Sequence, residues 1–425
     1  MKTHIRFTLI SFLICTILAA CGASQSEPTA TSNQQAAEDS PTPTTLAPTG
    51  TPSPTPSPSP IPTATKAPTA TPTPIPTHTP APNIQGTATS LPTAHDKAAS
   101  GRIVFQSEQG ESTELYIVNP DGSQLLRLTN NNDYELWPVG SPDGEYIAFV
   151  HLLQGEEAYE GMDIWVMKAD GSGVTPVTSV FGGEKFPNWS PDGRQIAYGC
   201  ETWRNDICVI NIDGSRSTQL TKDENSSYQM TFNNLTTARQ WSPNGDKIVF
   251  VEGSDEGWGI ALLNLDGTGY IRLTTDFTSF DPTWDPTGTK IAFVRAEPQG
   301  CEDNCNLDIY VINPDGSELT NLTNNSAEDF NPVWSPNGER VAFVSNRDGN
   351  YELYVLDMIS KDITRLTNDP AFDGKPTWSP DGQRIAFTSE RDGNAEIYVI
   401  DVTGENLVRL TINQVDDNFP YWLLK

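Results

Sequence analysis

The sequence predicts an all-β chain, a β-propeller of four-stranded blades, and three observations predict it. First, a short line recurs: Trp189-Ser190-Pro191-Asp192-Gly193, Trp241-Ser242-Pro243-Asn244-Gly245, Trp334-Ser335-Pro336-Asn337-Gly338 and Trp378-Ser379-Pro380-Asp381-Gly382. Trp284-Asp285-Pro286-Thr287-Gly288 is a looser copy. Gly140 replaces the tryptophan before Ser141-Pro142-Asp143-Gly144, and Tyr421-Trp422 begins one more copy. From Gly140 to Trp422 the spacings are 49, 52, 43, 50, 44 and 44 residues, which makes seven units. Second, every turn is followed by a β-branched and aromatic run, such as Ile291-Ala292-Phe293 or Val341-Ala342-Phe343. Third, the prolines segregate: 17 of 34 lie within residues 24–100, which contain no Phe, Tyr or Trp.

Each unit reads as four short strands. The turn sets the first hairpin, because Pro pre-sets φ at its second position and Gly supplies the positive φ that closes it. A variable loop leads to a second apolar run, Asp308-Ile309-Tyr310-Val311-Ile312 for example. A second turn such as Asn313-Pro314-Asp315-Gly316 follows, and a short strand ends in Leu-Thr, as at Leu322-Thr323, Leu366-Thr367 and Leu410-Thr411. Four strands about every 44 residues is the pattern of a propeller blade. Six blades is the alternative count, because the third unit has a long insertion, Lys222 to Gln240, and Arg239 where other units place Pro. The repeats begin at Arg102-Ile103-Val104-Phe105, the second strand of a unit, and finish with Phe419-Pro420-Tyr421-Trp422, a first strand. Pairing of that C-terminal strand with the first blade would close the ring and cover both edges.

The rest of the chain divides into 1–20, a signal peptide, and 21–100, a lipidated N-terminus and disordered linker. Lys2 and Arg6 precede the apolar run Phe7 to Ile17, too short for a dedicated transmembrane helix and typical of export. The run ends in Leu18-Ala19-Ala20-Cys21-Gly22, which resembles a bacterial lipobox. That resemblance implies acylation of Cys21, membrane attachment through the N-terminal lipid, and exposure on the extracellular or periplasmic side. Residues 24–100 have little to bury and few backbone donors, so they favour extended polyproline II. About 60 residues rising about 3.1 Å each give a spacer on the order of 150 Å.

The repeat unit closely resembles the WD40-like PD40 repeat of TolB-type β-propellers, over residues 101–425. TolB proteins carry six blades and an extra α/β domain, whereas this sequence shows seven units. The charge excludes some partners. Residues 101–425 hold 51 Asp and Glu against 22 Lys and Arg, the whole formal charge of −29. That surplus argues against nucleic acid and against anionic lipid surfaces.

The candidate site is the rim where each first strand begins. Three residues before its Pro lie Glu135, Glu184, Asp329, Asp373 and Asp417, with Asp281 adjacent to its Pro instead. Phe186, Phe280, Phe330 and Phe419 lie beside them. Repeat symmetry would gather these into a ring of carboxylates and aromatics at the channel mouth, suited to a cationic ligand. Short polar residues capping their own loops is the competing reading. Cys200 with Cys208, and Cys301 with Cys305, bracket single loops and suit local disulfides in an oxidising compartment. No metal site is expected, since His151 is the one histidine beyond residue 100. No cofactor is expected either, with calcium at the carboxylate-rich loops as the alternative.

Propeller-bearing peptidases of the prolyl oligopeptidase type need a Gly-x-Ser-x-Gly elbow, which is absent. Propeller polysaccharide lyases depend on histidine ligands. The expectation is therefore a non-catalytic exported lipoprotein, its propeller binding a protein, peptide or glycan through the variable-loop face. A polysaccharide-active or other carboxylate- or metal-dependent enzyme is the alternative. Truncation after Gln414 removes the last strand, and the shortened protein is expected to melt well below the full chain; equal melting would disprove closure by that strand.

Overall fold

The computed structural model describes residues 101–155, 161–179, 183–200, 206–221, 227–229, 240–254, 257–275, 278–297 and 306–424. These form a β-propeller of four-stranded blades, with no helix among the described residues. An eight-stranded sheet holds β1 (Ile103–Glu108), β2 (Thr113–Val118), β3 (Leu126–Arg127), β4 (Tyr134–Gly140), β5 (Tyr146–Leu152), β6 (Met162–Lys168) and β7 (Thr175–Pro176). Its eighth member, β28 (Asp417–Trp422), pairs antiparallel with β1 and sets Ile103 opposite Trp422. The sheet is two antiparallel sets, β28-β1-β2-β3 and β4-β5-β6-β7, that meet at one parallel pairing, Thr113 with Tyr134.

Five four-stranded sheets follow in chain order. The first two are β8 (Lys185–Trp189), β9 (Gln195–Cys200), β10 (Asp206–Asn211) and β11 (Thr218–Gln219), then β12 (Ser227–Gln229), β13 (Lys247–Ser254), β14 (Gly257–Asn264) and β15 (Ile271–Arg272). Next come β16 (Ser279–Trp284), β17 (Ile291–Glu297), β18 (Asn306–Ile312) and β19 (Thr320–Asn321). The last two are β20 (Asp329–Trp334), β21 (Arg340–Ser345), β22 (Glu352–Asp357) and β23 (Ile363–Arg365), then β24 (Asp373–Trp378), β25 (Arg384–Ser389), β26 (Glu396–Asp401) and β27 (Val408–Arg409). First strands touch first strands: β28 with both β24 and β4, β4 with β8, β16 with β20, and β20 with β24. They therefore make the inner wall. The fourth strands, only two or three residues long, make an outer edge too short to template pairing.

Three repeated interactions explain the repeated residues. The indole N–H of five repeat tryptophans reaches a carbonyl of the preceding unit: Trp189 to Val139, Trp241 to Asn188, Trp284 to Gln240, Trp334 to Thr283 and Trp378 to Val333, at 2.9–3.3 Å; that of Trp422 has no such partner. Tryptophan fits because it fills an inter-blade gap while carrying one donor that also needs a partner there. The Thr of each Leu-Thr (129, 221, 274, 323, 367, 411), and Thr178 of Val177-Thr178, accepts the third-strand N–H fourteen residues earlier, at 2.8–3.0 Å. In the turns Ser141, Ser190 and Ser379 donate to Asp143, Asp192 and Asp381, and Ser335 to Asn337.

The missing tryptophan at Gly140 has a physical reason. A Cβ there would lie 2.2 Å from Leu423 and 2.9 Å from Tyr421, so the segment ending β28 fills the space that an indole fills elsewhere. Leu423 is fully buried and its N–H binds the Arg102 carbonyl at 2.8 Å. Gly140→Val is expected to destabilise the fold by about 1–3 kcal/mol through overpacking. Thermal melts should show Leu423→Ala relieving part of that loss in the double variant, and strictly additive losses would contradict the contact.

Candidate functional site

Proline sits within six of the first strands, where it cannot donate a ladder hydrogen bond. The chain answers with a bulge. Register slips between Leu136 and Val139, Lys185 and Asn188, Phe280 and Thr283, Phe330 and Val333, and Gly374 and Thr377; β28 slips likewise against β1. The residue just before each Pro adopts positive φ: Trp137 (53°), Phe186 (58°), Asp281 (52°), Asn331 (53°), Lys375 (56°) and Phe419 (54°). Bulky side chains rarely hold this conformation, at a cost of about 1–3 kcal/mol each, and such strain clusters at functional sites.

These six residues sit on the inner wall and touch across neighbouring first strands. The Trp137 and Phe186 rings lie 5.0 Å apart, and Phe419 packs on the same cluster. Lys375 Nζ sits 3.7 Å from the Phe419 ring centre, and Asn331 Nδ2 donates to Asp281 at 3.4 Å. One half of the ring is aromatic and the other is acid, amide and amine. The backbone is uniform and the chemistry varies, as expected where a repeat scaffold meets a ligand.

The expected rim of open carboxylates takes a different form. Asp329, Asp373 and Asp417 are fully buried, and Glu135 and Glu184 nearly so. Arg347 donates to both oxygens of Asp329 at 2.9 and 3.0 Å, and Arg391 to Asp373 at 2.7 Å. Asn413 donates to Asp417 at 2.7 Å, and Glu135 is held by Asn131 at 2.8 Å and His151 at 3.0 Å. Of the six acids only Asp281 belongs to the inner ring, where it too is buried. The bulge is the cause. In an unbroken strand residues two apart share a face, but an inserted residue sends them to opposite sides. Phe186 and Phe419 join the ring, whereas Phe280 and Phe330 pack between blades.

A second acidic series went unread in the sequence. Glu114, Asp163, Asp308, Glu352 and Glu396 begin third strands, each 21 residues before Glu135, Glu184, Asp329, Asp373 and Asp417. That constant offset was the available signal. Three of them meet guanidinium groups: Glu114 with Arg127 at 2.8 Å, Glu352 with Arg365 at 3.0 Å and Glu396 with Arg409 at 2.9 Å. Asp163 and Glu184 hydrogen-bond to each other instead, and burial together with Asp163 pushes Glu184 up to about 7. Burial also raises Asp417, to about 6.

His151 is buried, its ring centre 4.5 Å from that of Trp165. Cys200 and Cys208 are joined across the β9–β10 hairpin, Cα atoms 5.8 Å apart. Cys301, Cys305 and Cys21 lie outside the described residues. Among the described residues no three His, Cys, Asp or Glu side chains converge as a metal-ligand set.

Fold and inner ring thus define a β-propeller whose variable chemistry lines its wall. The chain belongs to the PD40 family, the TolB beta propeller domain, whose model matches residues 157–304 and 307–423. A Protein TolB homolog of Chlorobaculum tepidum is 38% identical over 55 residues, 13% of each chain, so the match spans under a fifth of that relative. Among solved structures, the β-propeller domain of the Trilobed protease from Pyrococcus furiosus, described as an open velcro topology, is similar at 15% identity and TM-score 0.54, covering 74% of this chain and 96% of that one. An oligogalacturonate lyase in complex with manganese is similar at 15% identity and TM-score 0.54, covering 73% and 85%. Such identities speak for the fold alone.

The shared proton gives a pH dependence. Folded Glu184 binds its proton up to about 7, against an ordinary value of 4.5, so the folded state holds more protons in that window and stability falls as pH rises through it. Glu184→Gln is expected to flatten this fall when melting is followed from about pH 5 to about pH 8; an unchanged slope would show that the Asp163–Glu184 proton does not contribute.

Proposed function

We propose that the protein is an exported lipoprotein, attached through acylated Cys21, whose propeller is a non-catalytic platform for a protein, peptide or glycan. The observation that carries this is the inner ring, where six strained positions of like backbone present five different side chains, Trp, Phe, Asp, Asn and Lys. Residues 21–100 serve as the spacer. The propeller is read as seven blades, with the eight-stranded sheet counted as two. The β28–β1 pairing supports a ring closed between the chain's last and first repeat strands. The partner approaches from the variable-loop face, where the first strands begin.

Sign of charge supports a basic partner. The formal charge is −29, so association should be fastest at low ionic strength and weaken with added salt. Trp137 and Phe419 are the ring aromatics that keep partial exposure, and large half-exposed aromatics commonly anchor interfaces.

Capture of envelope proteins and glycans on the immobilised full chain tests the reading. Trp137→Ala combined with Phe419→Ala is expected to weaken the captured interaction at least tenfold, while Ile359→Ser, at an exposed turn, leaves it unchanged. Equal capture by the double variant would place binding away from the inner ring.

A further inference from the structure

The seam where β24 meets β28 differs from the corresponding place in the neighbouring blades. Lys375 reaches across it, Nζ donating to Asn418 Oδ1 at 3.0 Å beside the Phe419 ring. It makes no ion pair among the described residues, and burial pushes its amine down to about 7. Asn418 is 1% exposed, and with its oxygen turned to Lys375 its Nδ2 is left as a buried donor with no acceptor. A buried N–H without an acceptor is rare in a finished structure and marks a place for a ligand oxygen or a water.

Three carboxylates, Glu108, Glu390 and Asp416, lie near enough to Lys375 to act on its charge. Asp416 is tied to the Ala395 N–H at 2.8 Å. The Glu108 and Glu390 carboxylates have no hydrogen-bond partner among the described residues, and burial raises both. All three acids keep exposure to solvent. One blade back, the position of Glu390 is Asn346, which pairs with Glu328, and the position of Asn418 is Gly374, which has no side chain. The open groups at the seam are therefore not part of the repeat.

Charge decides the ligand class. A simple anion would meet the Lys375 and Asn418 donors but face three acids. A simple cation would suit Glu108 and Glu390 but leave the Asn418 N–H unmet and crowd Lys375. A molecule carrying both charges a few ångströms apart satisfies donors and acceptors at once and brings no net charge into the site. We propose that the seam between β24 and β28 binds a free α-amino acid, its carboxylate on Lys375 and Asn418 Nδ2, its ammonium on Glu108 and Glu390, and its side chain against Phe419. This small-molecule site stands on its own observations and does not rest on the platform reading.

Calorimetry of the full chain against the twenty free L-amino acids, singly and at millimolar concentration, tests it. At least one is expected to bind, and its C-terminal amide and N-acetyl derivative, which each keep one charge, to bind at least tenfold more weakly. Lys375→Asn, Asn418→Leu and Glu390→Asn place residues that other blades already carry at those positions, so the fold should hold, as melting will show. Each is expected to reduce affinity at least tenfold. The proposal is overturned if no amino acid binds, if the amide binds as tightly as its parent, which would make the seam a plain cation site, or if the three variants bind like wild type. Partner capture by the wild-type chain without amino acid reports on the platform reading separately.

Discussion

Proline inside a first strand is the constraint on which the inner wall depends. It cannot donate to the ladder, so each strand that carries it must slip its register, and the slip throws the preceding residue into positive φ. From this follow the strained ring of Trp137, Phe186, Asp281, Asn331, Lys375 and Phe419 and the change of facing that hides the acids two residues earlier. The one unit without this Pro behaves differently. There β12 pairs with β13 through Gln229, and pairing is next seen at Trp241 with Ile248.

Much of the negative charge is structural. Five pairs of acids, 21 residues apart, lie beneath the loop face, and several hold loop backbones and repeat Thr hydroxyls. Most such pairs have at least one arginine close by; Asp163 and Glu184 have none and keep a proton instead. Removing one partner of a buried pair leaves the other uncompensated, a loss of about 3–5 kcal/mol. Asp329→Ala or Arg347→Ala would therefore report on folding before it reported on any ligand.

The architecture was legible because the repeat is carried by residues whose physics is local and cumulative: Pro and Gly in turns, Trp between blades, Thr beneath the third strand. The disposition of side chains around the wall was not. Alternation predicts facing only along an unbroken strand, and a bulge of one residue reverses it, so Asp329, Asp373 and Asp417 looked like a rim and are interior. Phe186 and Phe419 fall on the ring, yet the sequence reading valued them as neighbours of the acids. Lys375 and Asn418 escaped notice because a repeat-based reading searches for what recurs, and the seam is distinguished by what does not.

Gly140 carries a lesson about ancestry and engineering. A chain made by copying one unit would have a tryptophan there. Tyr421 and Leu423 occupy that space, so a single missing side chain marks the contact between β28 and β4 as unlike the others. A circular permutant opened at another turn, with the old termini linked, must keep this mismatch at what has become an internal junction. Symmetrising the sequence toward its own consensus would put an indole and Leu423 in the same place.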